Sequence, residues 1–71
     1  MHRLRLLRPD DADRFCDFLR AVQVSVDAIE GEVVLASLPG APSELHERRE
    51  IAGYITTWNA LNPASTVEIS E

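Results

Sequence analysis

What most constrains this chain is a switch in apolar period, from two to about 3.6 and back, made twice in 71 residues. Residues 2–8 begin His-Arg-Leu-Arg-Leu, with Leu4 and Leu6 on one side and Arg3 and Arg5 on the other. That is the period of a half-buried strand, and Pro9, which has no N–H for a ladder, ends it. Ala12, Phe15, Cys16, Leu19 and Val22 then recur at three- and four-residue spacing and predict one helix stripe. Asp10 is the expected N-cap, with Asp11 and Asp13 in the first turn, where the helix dipole favours negative charge. Val24, Val26 and Ala28 return to period two, Glu30-Gly31 signals a tight turn, and 32–38 reads as a second strand, so a hairpin is predicted. The unbroken Val33-Val34-Leu35 suits a central strand covered on both sides. After Pro39-Gly40-Ala41-Pro42, Ser43 is the expected cap of a second amphipathic helix through Leu45, Ile51, Ala52, Ile55, Trp58 and Leu61 or Asn62. Gly53 weakens it by about 1 kcal/mol relative to Ala and is expected to mark close packing. Asn62-Pro63 stops the helix, and 66–70 alternates again with Val67 and Ile69 inward.

The resulting order is β-α-β-β-α-β. It resembles the ferredoxin-like arrangement over nearly the whole chain, in pattern rather than in motif. The resemblance implies an α+β two-layer sandwich. An antiparallel four-stranded sheet would have strands one and three at its centre and two helices on one face. The length allows a single small domain over 1–71, and Met1 is expected to open a complete short gene product. Many unrelated functions share this architecture, so function has to be argued from residues.

Twelve acidic residues against seven arginines, with no Lys, give a net charge of −5. Such a chain repels phosphate backbones, and the one dense basic run, Arg3, Arg5 and Arg8, is offset by Asp10, Asp11 and Asp13. Phe15, Phe18, Tyr54 and Trp58 all fall on predicted helices. RNA-recognition modules of this shape stack bases on strand aromatics instead, so nucleic acid is not an expected partner. No apolar run approaches the ~20 residues of a membrane span, and no membrane partner is expected. Cys16, the only cysteine, lacks an intramolecular disulfide partner, so a cytoplasmic setting is expected.

Chemistry-bearing motifs are sparse. The first β–α loop, Leu7-Arg8-Pro9-Asp10-Asp11, holds no thiol pair for a soft metal, and Cys16 belongs to the helix stripe. Acylphosphatase-like enzymes hold phosphate with an Arg in that loop. Here Arg8 has an acidic setting and no Gly-rich cradle, and it reads as a solvated strand end. His46-Glu47-Arg48-Arg49-Glu50 is not H-E-x-x-H, and it reads as a charged outer helix face with i,i+4 pairs. Tyr54 and Trp58 are expected to cover the core edge. No catalytic residue, metal or cofactor is expected, and the chain is not expected to be an enzyme.

Two candidate surfaces remain. The sheet face away from the helices is expected to carry Arg3, Arg5, Ser25, Asp27, Ile29, Thr66 and Glu68, with Leu7 among them. Of these, Arg3, Arg5, Asp27, Ile29 and Glu68 form the candidate interaction face. Arg3 or Arg5 is expected to pair across strands with Glu68 or Asp27. The favoured function is a non-enzymatic module that self-associates, as a homodimer, or docks on a protein partner through this face or a free strand edge. The alternative is a small-ligand regulatory domain of the ACT type, with Arg8, Asp10 and Asp11 as the candidate ligand loop.

Overall fold

A computed structural model describes residues 1–70 and shows an α+β fold. Strand β1 (His2–Leu6) is followed by a 3₁₀ turn at Pro9–Asp11, helix α1 (Ala12–Ala21), strands β2 (Ser25–Glu30) and β3 (Val33–Ser37), helix α2 (Glu44–Leu61) and strand β4 (Val67–Ile69). The four strands form one sheet in the order β2-β3-β1-β4, every pairing antiparallel. β1 and β3 thus hold the centre.

One apolar cluster joins the sheet to both helices. Leu4 and Leu6 of β1, Val34 and Ala36 of β3 and Val67 of β4 meet Phe15, Cys16 and Leu19 of α1 and Ile51, Ile55 and Trp58 of α2. The Phe15 ring stands edge-on to Trp58 at 5.1 Å between centroids. The Trp58 indole N–H donates to the Ser65 carbonyl at 2.8 Å, so its one polar atom is satisfied inside the core. Burial of each of Leu4, Leu6 and Phe15 contributes roughly 2–3 kcal/mol. A one-residue slip of β1 would exchange those leucines for Arg3 and Arg5, so the register is strongly specified.

The helix ends differ from expectation. Asp10 does not cap α1: it lies inside the 3₁₀ turn, and the N-cap position falls to Asp11, whose side chain makes no cap bond. Pro9 at the first position starts that turn with its φ already set. At the other end Gln23 adopts φ 70°. Val24 N–H then donates to the Leu19 carbonyl (2.9 Å) and Gln23 N–H to the Arg20 carbonyl (3.1 Å), the paired bonds of a Schellman cap. Leu19 and Val24, both buried, supply the apolar contact that accompanies it. Glycine is the usual residue at such a left-handed position; Gln carries a Cβ that strains it.

α2 turns Ile51, Ile55 and Trp58 inward as expected, but the two ends of its stripe differ from expectation. Its buried positions are Glu47, Ile51, Ile55 and Trp58. Leu45 and Leu61 stay outside, at 62% and 70% exposure. Gly53 does not mark close packing: it is exposed, and a methyl group built on it meets nothing within 4 Å. The hairpin turn does follow expectation. Gly31 has φ 61°, while Glu32 stays at negative φ, the pattern of a two-residue turn with Gly first.

Two substitutions test these readings. Gln23→Gly is expected to raise stability by about 1 kcal/mol by relieving the left-handed Cβ. Gly53→Ala is expected to add about 0.5–1 kcal/mol through helix propensity. Urea unfolding with an unchanged slope measures both, and a loss in either variant refutes its account.

Candidate functional site

The register lays out the sheet face turned away from the core. Arg5 lies opposite Val33 on one side and Glu68 on the other, and Val33 lies opposite Glu30. One ladder row therefore reads Glu30, Val33, Arg5, Glu68 across all four strands. The next row reads Ala28, Leu35, Arg3 and then Ser70, whose N–H donates to the Arg3 carbonyl at 2.8 Å. Ser25 faces Ser37 beyond it. Val33 and Leu35 are only half-buried. The continuous apolar run in β3 thus lies on a central strand but is covered on one side, not on both.

Charge around that apolar centre is uneven. Arg5 stands between Glu32 and Glu68, each at 4.0 Å, so its charge is offset within the chain. The Arg5–Glu68 pair is one of those expected. These pairs are exposed and contribute little stability, on the order of 0–1 kcal/mol. Arg3 and Glu30 make no ion pair among the described residues. Arg5, Glu32 and Glu68, with Leu7, Thr66 and Val67, line a shallow depression of about 230 Å³ at the hairpin end.

Two members of the expected face are placed otherwise. The β2–β3 ladder shifts between Val26 and Ala28, so Asp27 is the extra residue of a β-bulge and has no partner in the ladder. Beyond the bulge the alternation inverts: Ile29 lies opposite Val34, on the core side, and Ala28 and Glu30 take the outer face instead. A strict count of two along the sequence cannot detect a bulge.

The candidate loop residues do not converge. The Asp11 carboxylate accepts from Arg14 at 3.0 Å, and Arg14 also donates to Asn62 at 2.6 Å and stacks on the Trp58 ring. The Ser65 hydroxyl, then Arg14, hold the Asp11 carboxyl below its usual range. That hydroxyl is buried and has no partner at regular hydrogen-bond geometry. Asp11 thus faces the end of α2, while Arg8 and Asp10 are exposed. His46 and Glu50 lie 3.9 Å apart on the outer surface, the i,i+4 pair expected there. Cys16 is buried in the core, and that burial pushes its thiol up.

The buried polar cluster at the opposite end of the sheet was not legible in the sequence. Glu47, expected on an outer face, points inward from α2. Its carboxylate accepts from Leu38 N–H at 2.6 Å and lies 2.8 Å from His2 Nε2 and 3.6 Å from the N-terminal amine. His2 is itself buried at the start of β1. One carboxylate therefore ties β1, the chain after β3 and the first turns of α2. Its only sequence signal is that Glu47 lies four residues before Ile51, on the buried stripe.

Both sheet edges are guarded. β4 has three residues, and the Asn59 side chain behaves like a neighbouring strand. Its Nδ2 donates to the Val67 carbonyl (3.0 Å) and its Oδ1 accepts from Val67 N–H (2.8 Å). β2 carries the bulge and the acidic residues Asp27 and Glu30. Bulges and charges are the usual means of preventing strand addition. Among the described residues no helix is long and apolar enough to cross a membrane. No protein-family model, no curated protein and no solved structure matches this chain.

The Leu38 hydrogen bond, followed by the nearby amine and His2, holds the Glu47 carboxyl below its usual 4.5 against the opposing effect of burial. A depressed carboxyl stabilises the fold above its unfolded pKa, and the contribution fades as pH falls through the folded value. The stability difference between wild type and Glu47→Gln is therefore expected to be full above about pH 4.5 and to vanish at more acid pH. Urea midpoints for both proteins from pH 7 to pH 3 measure it, and a pH-independent difference contradicts it.

Proposed function

We propose that this chain is a non-enzymatic interaction module. In this reading it pairs with a second copy of itself through the outer sheet face, in a ferredoxin-like sandwich with both helices on the other side. The observation that supports this most directly is the half-buried Val33–Leu35 pair on a central strand, flanked by arginine and surrounded by carboxylates. An apolar centre with a charged rim is the anatomy of a protein interface, and arginine is enriched there. Both signs of charge occur on the one face, which suits a self-complementary contact. The guarded edges favour the face over strand addition. The small-ligand alternative has less support, since Asp11 is engaged by Arg14. The cytoplasmic setting rests on the single, buried Cys16.

Size bounds the strength. Four strands of about five residues give a face of about 19 by 17 Å, a footprint of about 300 Å² on each copy. Stable interfaces commonly cover about 800 Å² of each partner. The expected dimer is therefore weak and concentration-dependent.

Light scattering over a concentration series is the test. The mass is expected to rise from 7.9 kDa toward about twice that value, 16 kDa. Leu35→Glu, which puts a charge in the apolar centre, is expected to weaken association at least tenfold while leaving the circular dichroism unchanged. Arg49→Glu on the outer surface of α2 is expected to have no such effect. A wild-type chain that stays monomeric into the millimolar range, or a Leu35→Glu variant that associates normally, overturns the proposal.

A further inference from the structure

Granting that the outer face binds a second copy, we infer how the two copies are oriented. They are related by a two-fold axis crossing β3 between Val33 and Leu35, and Arg3 of each copy pairs with Glu30 of the other. Arg3 and Glu30 are the charged residues of the two central rows that no ion pair offsets among the described residues. Arg3 lies on β1 in the row of Leu35, and Glu30 lies on β2 in the row of Val33. They are thus two strands and one row apart, about 12 Å between backbones, and no ion pair joins them. β3 runs between their strands, so the midpoint of the line joining them falls on β3 between Val33 and Leu35.

A two-fold axis in the interface, through that midpoint and perpendicular to the line, carries each residue onto the other's position. An isologous contact then makes the pair twice, once on each side of the axis. Val33 and Leu35 flank the axis and pack on their own copies. The axis lies about 35° from the strands, so the strands of the two sheets cross at about 70°, near the orthogonal class of sheet packing. Arg5 lies about 2 Å from this axis, so the Arg5 side chains of the two copies face each other, each between the Glu32 and Glu68 of its own chain.

The simpler two-folds leave Arg3 and Glu30 apart from each other. An axis parallel to the strands, between β1 and β3, places Glu30 on the partner's row at Glu68. An axis perpendicular to the strands, midway between the two rows, places Arg3 against Arg5. The oblique axis is the one of the three that sets the two unpaired charges against their opposites.

Charge reversal tests this. Both residues are exposed, so Arg3→Glu and Glu30→Arg are expected to fold normally. Each alone sets like charges against each other twice and is expected to weaken self-association at least tenfold in sedimentation equilibrium at low salt. The double variant restores both attractions and is expected to return to wild-type affinity. An equimolar mixture of the two single variants is expected to form a heterodimer, because each of its two contacts then joins opposite charges. If the wild type dimerises and Leu35→Glu disrupts it, but either single reversal has no effect or neither the double variant nor the mixture recovers, the pairing is wrong and the face remains. If Leu35→Glu has no effect, or the wild type stays monomeric, the face reading itself fails.

Discussion

The pairing of β1 with β3 carries the rest of this molecule. Leu4 opposite Val34 and His2 opposite Ala36 face the core, while Arg3 opposite Leu35 and Arg5 opposite Val33 face outward. Each ladder step thus contributes at once to stability and to the exposed surface. Shifting the register by one residue would bury guanidinium groups without partners, a far larger loss than any surface pair offsets. The helices, the hairpin and β4 are built onto this central pair.

The polar groups inside the fold are ordered by the same economy of contacts. Glu47 is accepted near the core because Leu38 N–H, His2 and the amine surround it. A buried charge is tolerable when its hydrogen bonds are made, and a single carboxylate then ties three segments that share little sequence proximity. Asn59 does similar service at β4, where it supplies the donor and acceptor that a fifth strand would have supplied. With both edges occupied or bent, the flat of the sheet, where Val33 and Leu35 lie, is the more open surface.

Much of the element order was legible because both periods are strong in this sequence. Leu4 and Leu6, Phe15, Cys16 and Leu19, and Ile51, Ile55 and Trp58 all fell where their spacing put them. Where the structure departs from the sequence pattern, the causes are particular and physical. Gln23 ends α1 in a conformation that usually signals itself through glycine, so no letter marked it. Glu47 reads as solvent-facing because a charged residue is rarely buried without partners, and its partners come from distant positions. Ile29 lies on the face opposite to the one its spacing predicts because one extra residue at Asp27 inverts the count for the remainder of the strand. Asp11 reads from sequence as part of an open loop, whereas Arg14, held on Trp58, turns it toward α2.

The sequence by itself therefore determined the number, type and order of elements, since local periodicity decides which face of each element leaves water. It also determined that Arg3, Arg5 and Glu68 share the side of the sheet away from the leucines. Only the tertiary structure decided which charges on that side meet. The Arg5 contacts with Glu32 and Glu68, and the isolation of Arg3 from Glu30, depend on strand order and on the bulge. Those are set by long-range packing that leaves no trace in any short window of residues.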